Sequence, residues 1–320
     1  MDILIVKLGA LGDVINTLPL AVSLKSHLEA KIHWLVAPLS YPVVSQHPCV
    51  DRTIVFDKKQ TRTSLMEVGK QLRAQTFDVT LDLQRTMKSS LFCLAARSRR
   101  RIGFDRRRCK EMTWMFPFER IPPSKTVTHM VLQYLEFASY LGIPTDDIRW
   151  DIQTSCKRPA MVPEKYIVLN IGATKASNKW TPEGFAALIN GVQQRFGLAS
   201  VITGGIEDVE MADTIMAISR GSGTILVGKT TLDELTDVIQ YAQAVVTCDT
   251  GPMHLAVALG KEVVALFGPS DPRRTGPFKG HVLEKGMHCS PCNKRHCPDP
   301  LCMQGISPED VMEKLAESLV

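Results

Sequence analysis

A two-domain α/β fold with parallel sheets is what the sequence predicts, on three observations. Short β-branched runs alternate with helical patterns along most of the chain, as parallel strands joined by crossover helices require. The chain has 320 residues, 44% of them hydrophobic and 22% charged, an ordinary globular composition at a length that asks for about two domains. A stretch from about Pro144 to Pro163, with Pro159 inside it, breaks the alternation as an interdomain linker would. The predicted domains are 1–155 and 156–320, facing each other across a central cleft, with the last helix free to pack back on the first domain.

In the first domain Ile3–Lys7 reads as a buried strand, Val14–Leu28 as a helix, Ile32–Val36 and Arg52–Phe56 as strands, Ser64–Gln75 as a helix and Val79–Leu83 as a strand. Arg97–Lys110 reads as a basic irregular stretch. Thr128–Leu141 reads as a helix stopped by Gly142 and Pro144. The second series predicts strands at Tyr166–Asn170, Ala199–Thr203, Thr224–Val227, Ala244–Cys248 and Val263–Phe267. Helices are predicted at Pro182–Phe196, Asp208–Ile218, Leu232–Ala242, Met253–Leu259 and Pro308–Leu319. No short repeat period is present, which excludes solenoids and propellers.

The net charge of +5 hides an asymmetry: residues 1–160 carry 24 Lys/Arg against 15 Asp/Glu, and residues 161–320 carry 14 against 18. The first half is therefore expected to face something anionic. Its apolar opening imitates a signal peptide, but Lys7 and Asp13 interrupt it and no small-residue cleavage site follows, so a cytoplasmic N-terminus is expected. No uncharged apolar run is long enough to span a bilayer.

Four loops stand where a strand meets a helix. Leu8-Gly9-Ala10-Leu11-Gly12-Asp13 brings backbone N–H groups to a helix start, and Asp13 lies at or near its N-cap. The pattern is neither G-x-G-x-x-G nor a Walker loop, so taken alone capping stands ahead of catalysis. The strongest signal is Asp249-Thr250-Gly251-Pro252-Met253-His254, which follows a buried strand. Asp249 and Thr250 can cap, Gly251 leaves the amides uncovered, Pro252 suits the first turn, and His254 lies one turn inside an anion cradle. Thr174-Lys175-Ala176-Ser177-Asn178-Lys179 offers hydroxyls and cations, and Thr203–Asp208 places carboxylates where a ribose could be held. A solvated loop and an exposed helix start explain those last two equally well.

Taken together, K-L-G-A-L-G-D at Lys7–Asp13, D-L-Q-R-T-M-K-S at Asp82–Ser89, the Ala173–Pro182 loop, C-D-T-G-P-M-H-L-A at Cys248–Ala256 and L-F-G-P-S-D-P at Leu266–Pro272 resemble the bacterial ADP-heptose lipopolysaccharide heptosyltransferases. The resemblance implies a GT-B fold of two Rossmann-like domains, the acceptor on the first and the nucleotide sugar on the second. It implies inverting transfer of heptose from ADP-heptose to Kdo-lipid A or a heptosylated core at the cytoplasmic surface of the inner membrane. Asp13 would be the general base. Thr174, Lys179, Asp249, Thr250, Gly251, Pro252 and His254 would hold the donor, with Asp208 on its ribose. Gly12, Arg85, Lys88, Arg101 and Arg106 would meet the acceptor, since ten basic residues against one acidic residue lie within Arg85–Lys110.

No Asp-x-Asp motif is present to hold a divalent cation on a diphosphate, so fixed amides, a lysine and a helix dipole are expected to serve, with no cofactor required. Cys289, Cys292, Cys297 and Cys302 have C-x2-C-x4-C-x4-C spacing, which structural zinc or reduced thiols in a Pro-rich loop explain equally well. The other cysteines, Cys156 among them, are scattered. A related transferase using another nucleotide sugar, a nucleotide-binding protein without catalysis, and a nucleic-acid module built on Arg97–Lys110 are the competing readings. The transferase reading expects no nucleic acid.

Overall fold

The computed structural model describes all residues except 125, 156, 220–222 and 320; Cys156 lies outside the described residues. Two compact units result, Met1–Gln153 and Thr154–Val320.

The first unit begins with Asp2–Val6 (β1), four of whose five side chains are buried. The chain continues through Leu11–Ile15 (α1), Leu18–Leu28 (α2), Lys31–Val36 (β2), Tyr41–Ser45 (α3), Arg52–Val55 (β3), Thr61–Arg73 (α4), Thr76–Asp82 (β4), Met87–Ala95 (α5), Arg97–Gly103 (β5), Glu119–Arg120 (β6) and Met130–Tyr140 (α6). All strand pairs are parallel and the sheet order is β3-β2-β1-β4-β5-β6. With β1 central, the chain leaves it in one direction through β2 and β3 and returns to its other side at β4. Ligands of such sheets bind at this reversal, outside the carboxyl ends of the strands.

The second unit repeats the plan with Tyr166–Asn170 (β7), Pro182–Phe196 (α7), Ala199–Thr203 (β8), Val209–Ile218 (α8), Gly223–Ile225 (β9), Leu232–Gln240 (α9), Ala244–Cys248 (β10), Gly251–Ala258 (α10), Glu262–Phe267 (β11), Pro272–Thr275 (α11), His281–Glu284 (β12), Leu301–Gln304 (α12) and Pro308–Ser318 (α13). Its sheet order is β12-β11-β10-β7-β8-β9, so the reversal lies between β7 and β10. Ile167, Leu169, Phe185, Ile189, Val246 and Leu266 fill the core between this sheet and its helices.

Four expectations need correction. The helix expected at Val14–Leu28 is two helices, because Asn16 and Thr17 part the chain ahead of Pro19, which then serves the first turn of α2. The basic stretch from Arg97 is a strand, β5, on which Arg97, Arg99 and Arg100 are exposed; Arg99 pairs with Asp78 at 3.4 Å and Arg100 with Glu119 at 2.7 Å. Helix α5 was not anticipated, although Thr86 and Ser89 form a capping box at its start. The last helix packs on α7, β11 and β12 of its own unit, with Val311 and Leu315 in that core.

Just after α3, His47 ties the end of the first unit to its body. Its Nε2 donates to the Trp150 carbonyl at 2.7 Å, and its Nδ1 accepts from the Cys49 N–H at 3.2 Å. Burial pushes the imidazole below its ordinary value of 6.5, against the pull of the Trp150 carbonyl. The folded state therefore binds fewer protons than the unfolded chain just below pH 6.5, and stability falls as the pH drops from there to the folded value. Thermal unfolding at pH 7.5 and pH 5.5 is expected to show an acid loss that His47→Gln reduces; equal losses in both proteins would place the acid sensitivity elsewhere.

Candidate active site

In the first unit the reversal point holds the loop after β1 and the residues after β4. The Gln84 side chain crosses between them, its Oε1 accepting from the backbone N–H of Leu8 at 3.1 Å and of Gly9 at 3.4 Å. Asp13 sits in the first turn of α1, whose N-cap is Ala10. Its Oδ2 is 3.0 Å from Lys7 Nζ and its Oδ1 accepts from the Tyr134 hydroxyl at 3.4 Å. The Lys7 side chain is 1% exposed and that of Asp13 is 37% exposed, so a hidden cation holds a carboxylate that solvent can reach. Burial alone would lower the Lys7 pKa; the facing Asp13 carboxylate and Tyr134 outweigh it, and the pKa is raised. Capping thus does not account for Asp13, whose two oxygens are oriented by side chains from β1's end and from α6.

The loop that leads to Asp13 lines a cavity of about 790 Å³, together with Leu39, Phe56, Lys58, Lys59, Gln84 and Lys88. Lys88 Nζ stands 5.0 Å over the Phe56 ring. Gly12 lies buried in α1 next to Asp13. Arg85 is only 7% exposed, has φ of +64°, and stacks 4.8 Å over Phe104. Its Nε is buried without a hydrogen-bond partner. Arg106 is exposed and stacks 4.2 Å over Trp114. The Arg101 guanidinium donates to the carbonyls of Cys93, Ala96 and Ser98, closing the end of α5. Lys58 and Lys59 were missed by the sequence analysis; the Asp57-Lys58-Lys59 run after β3, at a strand's carboxyl end, was the signal available.

In the second unit, loops after β7, β8, β10 and β11 gather at the same end of the sheet. The Asn178 side chain, 1% exposed, donates to Asp249 Oδ2 and to Ser270 Oγ, each at 3.1 Å, and so ties three of these loops together. Its Oδ1 is buried without a partner. Lys179 forms an ion pair with Asp208, whose Oδ2 also accepts from the Gly205 N–H at 3.0 Å. Asp208 is 2% exposed, and its carboxylate holds Lys179 and the β8 loop. Gly172 and Gly204 make room for it, since a Cβ on either would stand 2.8 or 3.0 Å from Asp208 Oδ2.

Thr174 is exposed at the turn of the β7 loop. Thr250 is the N-cap of α10 by its backbone but makes no side-chain cap bond, and Gly251 and Pro252 open the helix. His254 lies one turn in and is 7% exposed. The amides at this helix start and the Lys179 ammonium provide positive charge at the reversal point between β7 and β10.

The cysteine segment lies across these loops. Ser290 Oγ donates to the Gly268 carbonyl, Asn293 N to the Pro269 carbonyl at 2.8 Å, and Ser177 Oγ to the Lys294 carbonyl at 2.6 Å. Cys289 is exposed while Cys302 is buried in the core with Met303. Among the described residues no three His, Cys, Asp or Glu side chains are arranged to hold a metal. The zinc cluster read from the spacing is thus not seen among the described residues, although Cys289 and Cys292 lie near enough to Cys302 to add to the burial that raises its thiol pKa.

Two α/β units, each with a parallel sheet and its functional loops at the reversal point, have the fold of the GT-B glycosyltransferases. The glycosyltransferase family 9 (heptosyltransferase) model matches residues 65–302. The chain belongs to that family and is an enzyme that transfers a glycosyl group. It is 26% identical over 282 residues to the lipopolysaccharide core heptosyltransferase OpsX of Haemophilus influenzae, covering 86% of this chain and 81% of that one. In fold it is similar to a family 9 glycosyltransferase of Veillonella parvula (TM-score 0.84, 22% identity, 99% of this chain and 97% of that one). It is also similar to the Escherichia coli heptosyltransferase WaaC with ADP (TM-score 0.82, 23% identity, 99% of this chain and 100% of that one).

Proposed function

We propose that this enzyme transfers heptose from ADP-heptose, with inversion, to the Kdo or heptose sugars of the lipopolysaccharide inner core. The observation that carries the reading is the Asp13 carboxylate, open to solvent and held by buried Lys7 and Tyr134, after a loop that lines a cavity together with lysines. The relatives support the donor and the acceptor class, OpsX as a heptosyltransferase of the lipopolysaccharide core and WaaC as a heptosyltransferase whose structure holds ADP.

In this mechanism Asp13 takes the acceptor hydroxyl proton while that oxygen attacks the anomeric carbon in line, and the carbon–oxygen bond to ADP breaks. Charge growing on the departing diphosphate is met by Lys179 and the first amides of α10, with Thr174, Thr250, Gly251, Pro252 and His254 around it. Asn178 and Asp249 hold these loops in register. On the acceptor side, Gly12, Arg85, Lys88 and Arg106 are joined by Lys58 and Lys59 for the anionic Kdo and phosphate groups. The first unit is then the acceptor half and the second the donor half. No helix among the described residues is long and apolar enough to cross a membrane, and the enzyme works on the cytoplasmic side of the inner membrane as a peripheral protein.

The test is ADP release from ADP-heptose with Kdo-lipid A, then with a mono-heptosylated acceptor. Release that depends on one of them establishes the transfer and its position in the core; ADP-heptose binding without release for either would sink the acceptor assignment. Because the proposed donor contacts are amides, hydroxyls and a lysine, turnover in excess chelator is expected to equal that without it. A loss on chelation, restored by a divalent cation, would refute the metal-free reading. Salt-sensitive binding to arbitrary duplex DNA, expected of a nucleic-acid module, is not expected here.

A further inference from the structure

The first unit leaves six large apolar side chains in solvent on two neighbouring elements. Met87, Leu91 and Leu94 are 43%, 56% and 39% exposed and follow one another at i, i+4 and i+7 along one face of α5. The opposite face of that helix already buries Phe92 and Cys93 in the core, so this outer row is surplus to folding. Met112, Trp114 and Met115, on the segment between β5 and β6, are 58%, 39% and 63% exposed.

The segment is fastened. Arg120 donates to the carbonyls of Phe104, Thr113 and Phe116, and Arg108 pairs with Asp105 and Glu136. The Met87 N–H donates to Glu111 Oε2 at 2.9 Å, which sets the segment beside the start of α5. Two arginines are thus spent on holding three bulky apolar side chains outward, an arrangement that costs solvation unless something covers it.

The charges around the patch say what covers it. Lys88, Arg106, Arg107 and Lys110 are exposed among these side chains, while Glu111 accepts the Met87 N–H and Asp105 and Glu136 are paired with Arg108. Leucine and methionine between cations, with a tryptophan that stacks on an arginine, is the make-up of a surface that enters the headgroup boundary of an anionic bilayer. A nucleic acid would use the cations and leave the aliphatic row unexplained.

We propose that this face, formed by the outer row of α5 and the 112–115 tip, docks the enzyme on an anionic lipid surface. The proposal rests on the lipid-linked acceptor of the proposed function and gives it a location. Lys88 belongs both to the face and to the lining of the cavity at the loop that leads to Asp13, so docking brings the cavity to the headgroups from which the acceptor sugars project.

The experiment is co-sedimentation of the full chain with phosphatidylcholine vesicles with and without phosphatidylglycerol, comparing wild type with Met112→Ser/Met115→Ser and, separately, Leu91→Gln. Wild type is expected to bind the anionic vesicles and to be released by salt. Each variant is expected to bind at least about tenfold more weakly with unchanged ADP release on a delipidated acceptor. Trp34, Trp150 and Trp180 are buried, so a blue shift of tryptophan emission on vesicle addition reports entry of Trp114. Equal binding by wild type and both variants, or stronger binding to duplex DNA than to anionic vesicles, overturns the proposal. Turnover of the delipidated acceptor without vesicle binding overturns the docking face and leaves the transferase reading standing. Vesicle binding lost in the variants, with no turnover of any acceptor by wild type, upholds the face and removes the transferase reading.

Discussion

Asp13→Asn is expected to lower turnover by about 10²–10⁴-fold, the usual worth of a positioned general base, while ADP binding is unchanged. Asparagine keeps the size of the side chain and can still accept from Tyr134, so the loop stays shaped while the proton acceptor is lost. The same change leaves Lys7 buried with its counter-charge gone. Since Asp13 is itself open to water, the resulting loss of stability is expected to be about 1–3 kcal/mol, less than for a fully buried pair. Turnover per folded molecule, measured beside a denaturant curve, separates the two effects. Unchanged turnover would remove Asp13 from the base role; a fall matched by an equal fall in ADP affinity would make it a binding residue instead. Lys7→Met adds a second check: the carboxylate loses the group that orients it, so kcat is expected to drop with the KM for donor unaffected.

Trp180→Ala is expected to destabilise the protein by about 3–5 kcal/mol. The indole is 2% exposed, lies edge-on to Phe185 at 5.0 Å, and donates from Nε1 to the Ile306 carbonyl at 3.0 Å. Its six-membered ring lies against Gly184, where a Cβ would stand 2.6 Å away. Truncation therefore empties a full aromatic volume and strands a buried carbonyl. Trp180→Phe, which keeps most of the packing, is expected to cost about 1 kcal/mol for the hydrogen bond plus a smaller packing term. The indole directly follows Lys179, so the alanine variant is also expected to weaken ADP binding at temperatures where it remains folded. Urea titration measures the first effect and calorimetric ADP titration the second; a stability loss under about 1 kcal/mol would show that the site collapses around the missing ring.

The second unit was legible as far as β11, whereas α11, β12 and α12 were not anticipated. Tyr166–Asn170, Ala199–Thr203 and Ala244–Cys248 are strands with the boundaries that their β-branched runs mark, and Thr181-Pro182 starts α7 where a cap and a first-turn proline require. The first unit was less so, because its signals are mixed: the arginines of β5 hide a strand that takes its order from β4, and α5 has only nine residues in which to show a period. The candidate site divides along the same line. Glycines, prolines and caps mark the loops in the sequence, since they act on their own neighbours. The pairing of Asp13 with Tyr134, 121 residues away, and of Lys179 with Asp208, 29 residues away, depends on which strands lie side by side. That is why the partners of Asp208 and Arg101 could not be read from the sequence.

Each six-stranded sheet takes all of its described strands from its own unit, in the same winding order. The chain is in this respect two cassettes on one thread: a change that reshapes the lysine-lined cavity leaves every rung of the other ladder in place. If the first cassette reads the acceptor and the second the donor, the two preferences can drift separately, and relatives that differ in acceptor need not differ in donor. Grafting the first cassette of one family member onto the second of another should then transfer acceptor choice alone.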